Sequence, residues 1–257
     1  MTLHRFFLTG ELPALGEGVE LSLSTNDRHH LGHVLRLEPG DRIVVVGSDA
    51  REAEATLTQV GAERACADLD APIERPARPR VSLAAGVARR ERMEFAIQKV
   101  TELGVVEILP VQTARSVVRL DEDRAGRRGQ RWRRIAEEAA KQSQRGDVPL
   151  VRDPVGLDEM IAQFGRFELV LVPWEGATPT GLGIGAALDA ADAQPDTNVL
   201  VVVGPEGGLE EAEVAALQAA GGVVVTLGDT VLRTETASVV AVALAIYGLG
   251  GLGGRER

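Results

Sequence analysis

Two short runs, 168–173 (ELVLVP) and 198–203 (NVLVVV), place apolar residues at consecutive positions. A strand with one wet face alternates, so unbroken apolar runs suit strands buried on both faces of a parallel sheet. Their surroundings repeat the message. Residues 81–87 read as a strand and 90–103 as a helix, with Met93, Ile97 and Val100 on one face and Gly104 as the C-terminal stop. Residues 105–110 are the next strand, and 123–144 a long Arg-rich helix with Trp132, Ile135, Ala136, Ala139 and Ala140 as its inner stripe. A helix over 210–220 ends at Gly221-Gly222, a strand covers 223–227, and an apolar helix covers 234–247. This alternation predicts an α/β domain with a mostly parallel sheet.

The first part of the chain reads differently. Residues 5–8, 41–47 and 51–60 look like short β elements, with Glu38-Pro39-Gly40-Asp41 as a turn, and a small β-barrel is expected. Pro72, Pro76 and Pro79 mark 71–80 as an extended linker, which divides the chain into 1–72 and 73–257. No apolar run is long enough to span a membrane and the opening MTLHRFFLTGELP lacks an export signal, so a soluble, cytoplasmic protein is expected. A single cysteine, Cys66, and four histidines (His4, His29, His30, His33) offer neither a disulfide framework nor a metal site. Residues 181–185 read as a loop, no P-loop occurs, and the Gly-rich tail from Gly248 should fray.

The net charge of −10 argues at first against a nucleic-acid partner, but it is unevenly spread. Residues 75–145 carry 17 basic and 9 acidic side chains, whereas 1–74 and 146–257 are both strongly acidic. Nearly all the basic residues are Arg, whose planar fork grips phosphate bidentately; genomic base composition explains that ratio equally well, but not the clustering.

The sharpest chemical signal is Val201-Val202-Val203-Gly204-Pro205-Glu206-Gly207-Gly208-Leu209. A buried strand running into a glycine turn that opens a helix presents backbone N–H groups at the carboxyl edge of a sheet, where α/β proteins bind ligands. A second such turn, 226–236 (TLGDTVLRTET), follows the strand at 223. Two glycine turns at neighbouring strand ends make a pocket walled by backbone, suited to an adenosine. The plain alternative is a pair of turns that need glycine for geometry alone.

These two blocks resemble the signature of the SPOUT methyltransferases of the bacterial RsmE type, which methylate N3 of a uridine in small-subunit (16S) ribosomal RNA. Further blocks in the same order are similar to that family: Arg5-Phe6-Phe7, the stretch from His30 to Asp41, Arg92-Met93-Glu94-Phe95 through Gly104, and Gln142-Ser143-x-Arg145 with Val148-Pro149. Lys141 stands where members often carry a carboxylate, and Asp229-Thr230 where some have Pro-Arg. The resemblance implies a PUA-like RNA-binding β-barrel, a SPOUT domain tied in a trefoil knot, a homodimer, and S-adenosylmethionine (SAM) held at the knot. The cofactor would be wrapped by Gly204, Pro205, Glu206, Gly207 and Gly208, and by Leu227, Gly228, Val231, Leu232 and Arg233, with Leu171 and Pro173 leading into a third wall at Trp174-Glu175.

Methylating uridine N3 requires in-line placement and loss of the N3 proton. Arg233 and Arg145 are candidates to stabilise the imide anion or grip the target phosphate, unless Arg233 merely pairs with Glu235 or Glu206. Glu206, Glu175 and Glu235 are candidate bases, and Glu206 could equally cap its own helix. Arg5, Arg36, Arg89, Arg92, Gln142 and Arg145 are the expected RNA contacts, Gln142 and Arg145 lying on one helix face. Arg115, Arg119, Arg124, Arg127, Arg128, Arg131, Arg133 and Arg134 would add phosphate contacts, except those paired with neighbouring carboxylates. Two alternatives stand beside this reading: methylation of another RNA position, and a noncatalytic RNA-binding assembly factor. The intact glycine turns speak against the latter.

Overall fold

The computed structural model describes residues 3–49, 51–61, 63–74, 78–116, 122–177 and 181–253. Contacts divide the chain into two units, Met1–Pro76 with Ala140–Asp147, and Ala77–Ala139 with Val148–Arg257.

In the first unit, strands β1 (His4–Phe7), β2 (Gly16–Glu20), β3 (Arg42–Val46), β4 (Glu52–Val60) and β5 (Ala65–Pro72) form, among the described residues, a sheet in the order β1-β3-β4-β5-β2. An antiparallel bridge between Leu8 and Leu23, and the Thr9 N–H donating to the Ser22 carbonyl at 2.7 Å, bring the two edges together. Phe6, Ile43, Val45, Ala55 and Leu57 fill the interior. A short helix α1 (Thr25–His29), capped by the Ser24 hydroxyl, runs into a π-helical turn (His30–Val34). The supposed linker begins later than its prolines suggest, because β5 keeps Ala71 and Pro72 in the sheet, opposite Glu54 and Ala53. Residues 75–77 lie outside the described residues.

The second unit holds β6 (Arg80–Gly86), α2 (Arg90–Leu103), β7 (Glu107–Gln112), most of α3 (Glu122–Gln142), β8 (Leu150–Val151), β9 (Val155–Gly156), α4 (Leu157–Ile161), β10 (Leu169–Pro173), α5 (Ile184–Ala190), β11 (Asn198–Val203), α6 (Glu211–Ala219), β12 (Val223–Val225) and α7 (Thr234–Gly248). Its strands run parallel in the order β12-β10-β11-β6-β7-β8, with β9 also on β7. Strand periodicity sorts the core. Val199, Val201 and Val203 of β11 join Met93, Ile97, Trp132, Leu188 and Val242 on one face, while Leu200 and Val202 join Met160, Val214 and Leu217 on the other. The unbroken apolar runs follow from this double coverage.

Helix α2 ends at Gly104 with φ +111°, a left-handed cap that glycine adopts without steric cost. Helix α3 stops at Gln142, before the expected end, because Gln144 turns left-handed at φ 58°. Arg145 is therefore off the helix and does not share a helical face with Gln142. The 181–185 stretch is a loop only to Gly183; Ile184 and Gly185 open α5. Among the described residues, no helix is long and apolar enough to cross a membrane.

Candidate functional site

Strands β10, β11 and β12 end at the same edge, and the turns that follow them enclose a cavity of about 420 Å³. Pro173, Trp174 and Glu175 form one wall, Gly204 to Gly208 the second, and Thr226 to Thr234 the third, with Arg92 of α2 completing the lining. The volume lies in the range of about 300–1,000 Å³ typical of small-molecule sites.

Each wall has a local cause. In the first turn the Gly208 N–H donates to the Pro205 carbonyl at 2.9 Å, and Gly208 takes φ +72°. That left-handed angle is what demands glycine; a Cβ there would also meet the Glu175 carboxylate, a flexible side-chain end that could move aside. In the second turn the Thr226 hydroxyl accepts from the Gly228 N–H at 3.1 Å, and Gly228 sits at φ +114°. The two turns are joined directly: the Thr234 hydroxyl donates to the Gly204 carbonyl at 2.6 Å. From behind, Gly86 at the end of β6 leaves room for the first turn, since a Cβ there would stand 2.5 Å from Pro205 Cδ and 2.7 Å from the Gly204 carbonyl carbon.

Charge at the cavity centres on Glu206. Its Oε1 accepts from the Arg89 N–H at 2.8 Å, so Glu206 caps α2 rather than the helix that follows it. Its Oε2 is buried with no hydrogen-bond partner, as is Oε2 of Glu235 in the first turn of α7. The Arg92 guanidinium stands between them, 3.8 Å from Glu206 and 3.9 Å from Glu235. Arg233 does not take the alternative of a salt bridge to either glutamate: it is exposed at the N-cap of α7 and, among the described residues, makes no ion pair.

Of the residues expected at a cofactor, Pro173, Gly204, Pro205, Glu206, Gly207, Gly208, Leu227, Gly228, Val231, Leu232 and Arg233 all line the cavity. Leu171 lies two residues back along β10, fully buried in the core. Among the expected RNA contacts, Arg36 and Gln142 are exposed in the first unit, and Arg36 is left-handed at φ 53°. Arg5 turns inward, its side chain 8% exposed, to Glu52 Oε2 at 2.5 Å and the Arg145 carbonyl at 3.1 Å. Arg145 is itself 3% exposed and donates to Asp147 at 2.6 Å. Arg89 is exposed at the start of α2, but Arg92 belongs to the cavity. Arg131 and Arg133 are engaged with Glu94 and Asp153. Arg119 and the side chain of Arg124 lie outside the described residues.

Sequence reading missed Arg92's place, Gly86 and Thr234. Only the Gly86 backbone gives a local hint, a glycine at the end of a buried strand.

A methyl donor with a sulfonium and an ammonium charge, an adenine and a ribose fits these residues. Backbone-rich walls suit the adenosine, and the unpartnered buried oxygen of Glu206 calls for a cation or a hydrogen-bond donor.

Residues 75–246 match the RNA methyltransferase domain family, and residues 23–70 match the RNA methyltransferase PUA domain. The chain is 34% identical over 247 residues to ribosomal RNA small subunit methyltransferase E of Bacillus subtilis, covering 95% of this chain and 96% of that one. It is 37% identical over 222 residues to the protein of the same name from Mycobacterium bovis, covering 82% and 80%. Among solved structures, ribosomal RNA small subunit methyltransferase E of Neisseria gonorrhoeae, bound to S-adenosyl methionine, is similar at a TM-score of 0.80 and 31% identity, covering 94% and 96%.

Proposed function

The chain belongs to the RNA methyltransferase family that includes ribosomal RNA small subunit methyltransferase E, and from that premise we propose that it methylates N3 of a uridine in 16S ribosomal RNA, using SAM. The observation that carries this reading is the cavity between the glycine turns after β11 and β12, joined by Thr234 and lined by Glu206.

When bound, SAM supplies an electrophilic methyl group on a positively charged sulfur. The protein's residues do the rest. The turns 204–208 and 226–233 hold the adenosine through backbone groups and set the line of transfer. Glu206 takes the N3 proton, and the exposed Arg233 guanidinium stabilises the negative charge that develops on the uracil oxygens. Arg145, buried against Asp147, acts from within its own unit by holding the Arg5 side chain rather than by meeting the base. Residues 1–72 serve as the RNA-binding domain, with Arg36 as a contact, and 73–257 as the knotted catalytic domain, of which Gln142 adds an RNA contact from the segment that belongs to the first unit. The exposed side chains of Phe95 on α2 and Leu244 and Tyr247 on α7 favour a homodimer through those helices. A cytoplasmic enzyme acting on the small ribosomal subunit is the setting this implies.

The test is transfer of labelled methyl from SAM to small subunits lacking base methylation, followed by mass spectrometry of the nucleosides. Formation of 3-methyluridine supports the reading. A different methylated nucleoside overturns the N3 assignment, and absence of SAM binding overturns the enzymatic one.

A further inference from the structure

Arg92 looks, by its place in an Arg-rich segment, like one more phosphate contact. Its surroundings say otherwise. It rises from the first turn of α2 into the cavity lining, and its guanidinium has a carboxylate on either side, Glu206 at 3.8 Å and Glu235 at 3.9 Å. Those two side chains are only 11% and 15% exposed. They come from the two turns that wall the site, one following β11 and one opening α7. Without a cation between them, two buried carboxylates would repel each other and at least one would swing toward water. The Arg89 N–H at 2.8 Å and the Arg92 guanidinium at 3.8 Å both meet Glu206 at Oε1, so the carboxylate is held from the helix terminus and from Arg92 at the same oxygen.

We propose that Arg92 is a positioning residue for methyl transfer, which holds the Glu206 carboxylate at the cavity edge through Oε1 and ties the two turns together through Glu235, and is not an RNA contact. The inference rests on the reading of the cavity as the methyl-donor site. It distinguishes one arginine from the basic cluster around it by what it faces: two carboxylates inside, rather than phosphate outside.

Five proteins test it: wild type, Arg92→Met, Arg92→Lys, Glu206→Gln and the double variant Arg92→Met with Glu206→Gln. The measurements are kcat and KM for RNA, SAM affinity by calorimetry without RNA, and the salt dependence of RNA binding. Arg92→Met should lower kcat about tenfold or more with KM for RNA changed less than about twofold, and Arg92→Lys should restore most of the loss. The double variant should lose less than the two single losses combined, because part of the arginine's effect runs through the Glu206 carboxylate. The slope of RNA affinity against salt should not move, whereas loss of a phosphate contact lowers it by about one. A raised KM with a reduced salt slope would make Arg92 a phosphate contact and overturn the proposal, as would losses that add in the double variant. A general loosening of the fold would lower the melting temperature of Arg92→Lys as well and leave no rescue, which also counts against it. Wild type that forms no methylated nucleoside at all refutes the reading of the site; active wild type with an unaffected Arg92→Met refutes this inference alone.

Discussion

The cavity between the glycine turns depends on single atoms that are absent. Gly86 makes no contact with the cavity itself, yet its missing Cβ is what lets Gly204 and Pro205 sit against the end of β6. Adding a methyl group there collides with backbone on the far side, which cannot rotate out of the way as a flexible side chain would. Gly86→Ala should therefore push the 204–208 turn outward and weaken SAM binding about tenfold or more, at a stability cost of about 1–3 kcal/mol. Gly104→Ala is the matched control. Its φ of +111° also strains an alanine, at a cost of about 1 kcal/mol, but a Cβ there meets nothing and the residue lies at the far end of α2. Calorimetric titration of both variants should show lost affinity only for Gly86→Ala; equal loss in the two would mean that general destabilisation, not displacement of the turn, is being read.

At the scale of elements, α2 and α3 are held together by charge as well as by Met93, Ile97 and Trp132. Arg131 of α3 donates to both oxygens of Glu94 on α2, at 2.5 and 2.8 Å, and Arg90 adds a third contact at 3.0 Å. The hydrogen bonds from Arg131, reinforced by Arg90, hold the Glu94 carboxyl below its ordinary value of 4.5 against the opposing effect of burial. A depressed carboxyl stabilises the fold above its unfolded pKa, and that contribution is lost as pH falls through the folded one. Glu94→Gln should thus cost about 0.5–1 kcal/mol at pH 7, the half-exposed Arg131 being partly screened by solvent. The gap between variant and wild type in denaturant melts should close as pH drops below the carboxylate range; a gap that is constant with pH would show that packing, not charge, is at stake. Elements such as α2 were legible in the sequence because periodicity and a terminal glycine agree over fourteen residues. Strand β2 was not: GEGVE is mostly exposed, has no alternation, and pairs with β5 through an irregular register. Helix α5 hid for a related reason, being short and entered through a run of glycines that signals a loop.

For the whole molecule, the question is what the uneven charge does. The site itself was legible in part, since both glycine turns are contiguous in sequence, but the ion cluster of Arg92, Glu206 and Glu235 joins residues more than a hundred positions apart that no local pattern connects. The same holds for the basic region 75–145. Read as a count it offers an undivided cationic surface, yet the fold spends Arg92 on the cavity, Arg131 on Glu94 and Arg133 on Asp153. The number of arginines left for phosphate is therefore smaller than the sequence total, and the salt dependence of RNA binding reports that number. For single-stranded RNA each neutralised phosphate adds about 0.7 to the slope of log affinity against log salt. About six engaged phosphates would make RNA binding fall by two to three orders of magnitude between about 50 and 200 mM salt. SAM binding should change by less than about twofold over the same range, because on the proposed reading its contacts lie in a cavity walled by backbone, screened far less than surface charges. Parallel titrations of the two ligands decide the matter. Equal sensitivity would place the donor at an exposed charged surface instead of between the glycine turns, while a slope matching all seventeen basic residues of 75–145 would mean that the internal ion pairs open when RNA binds.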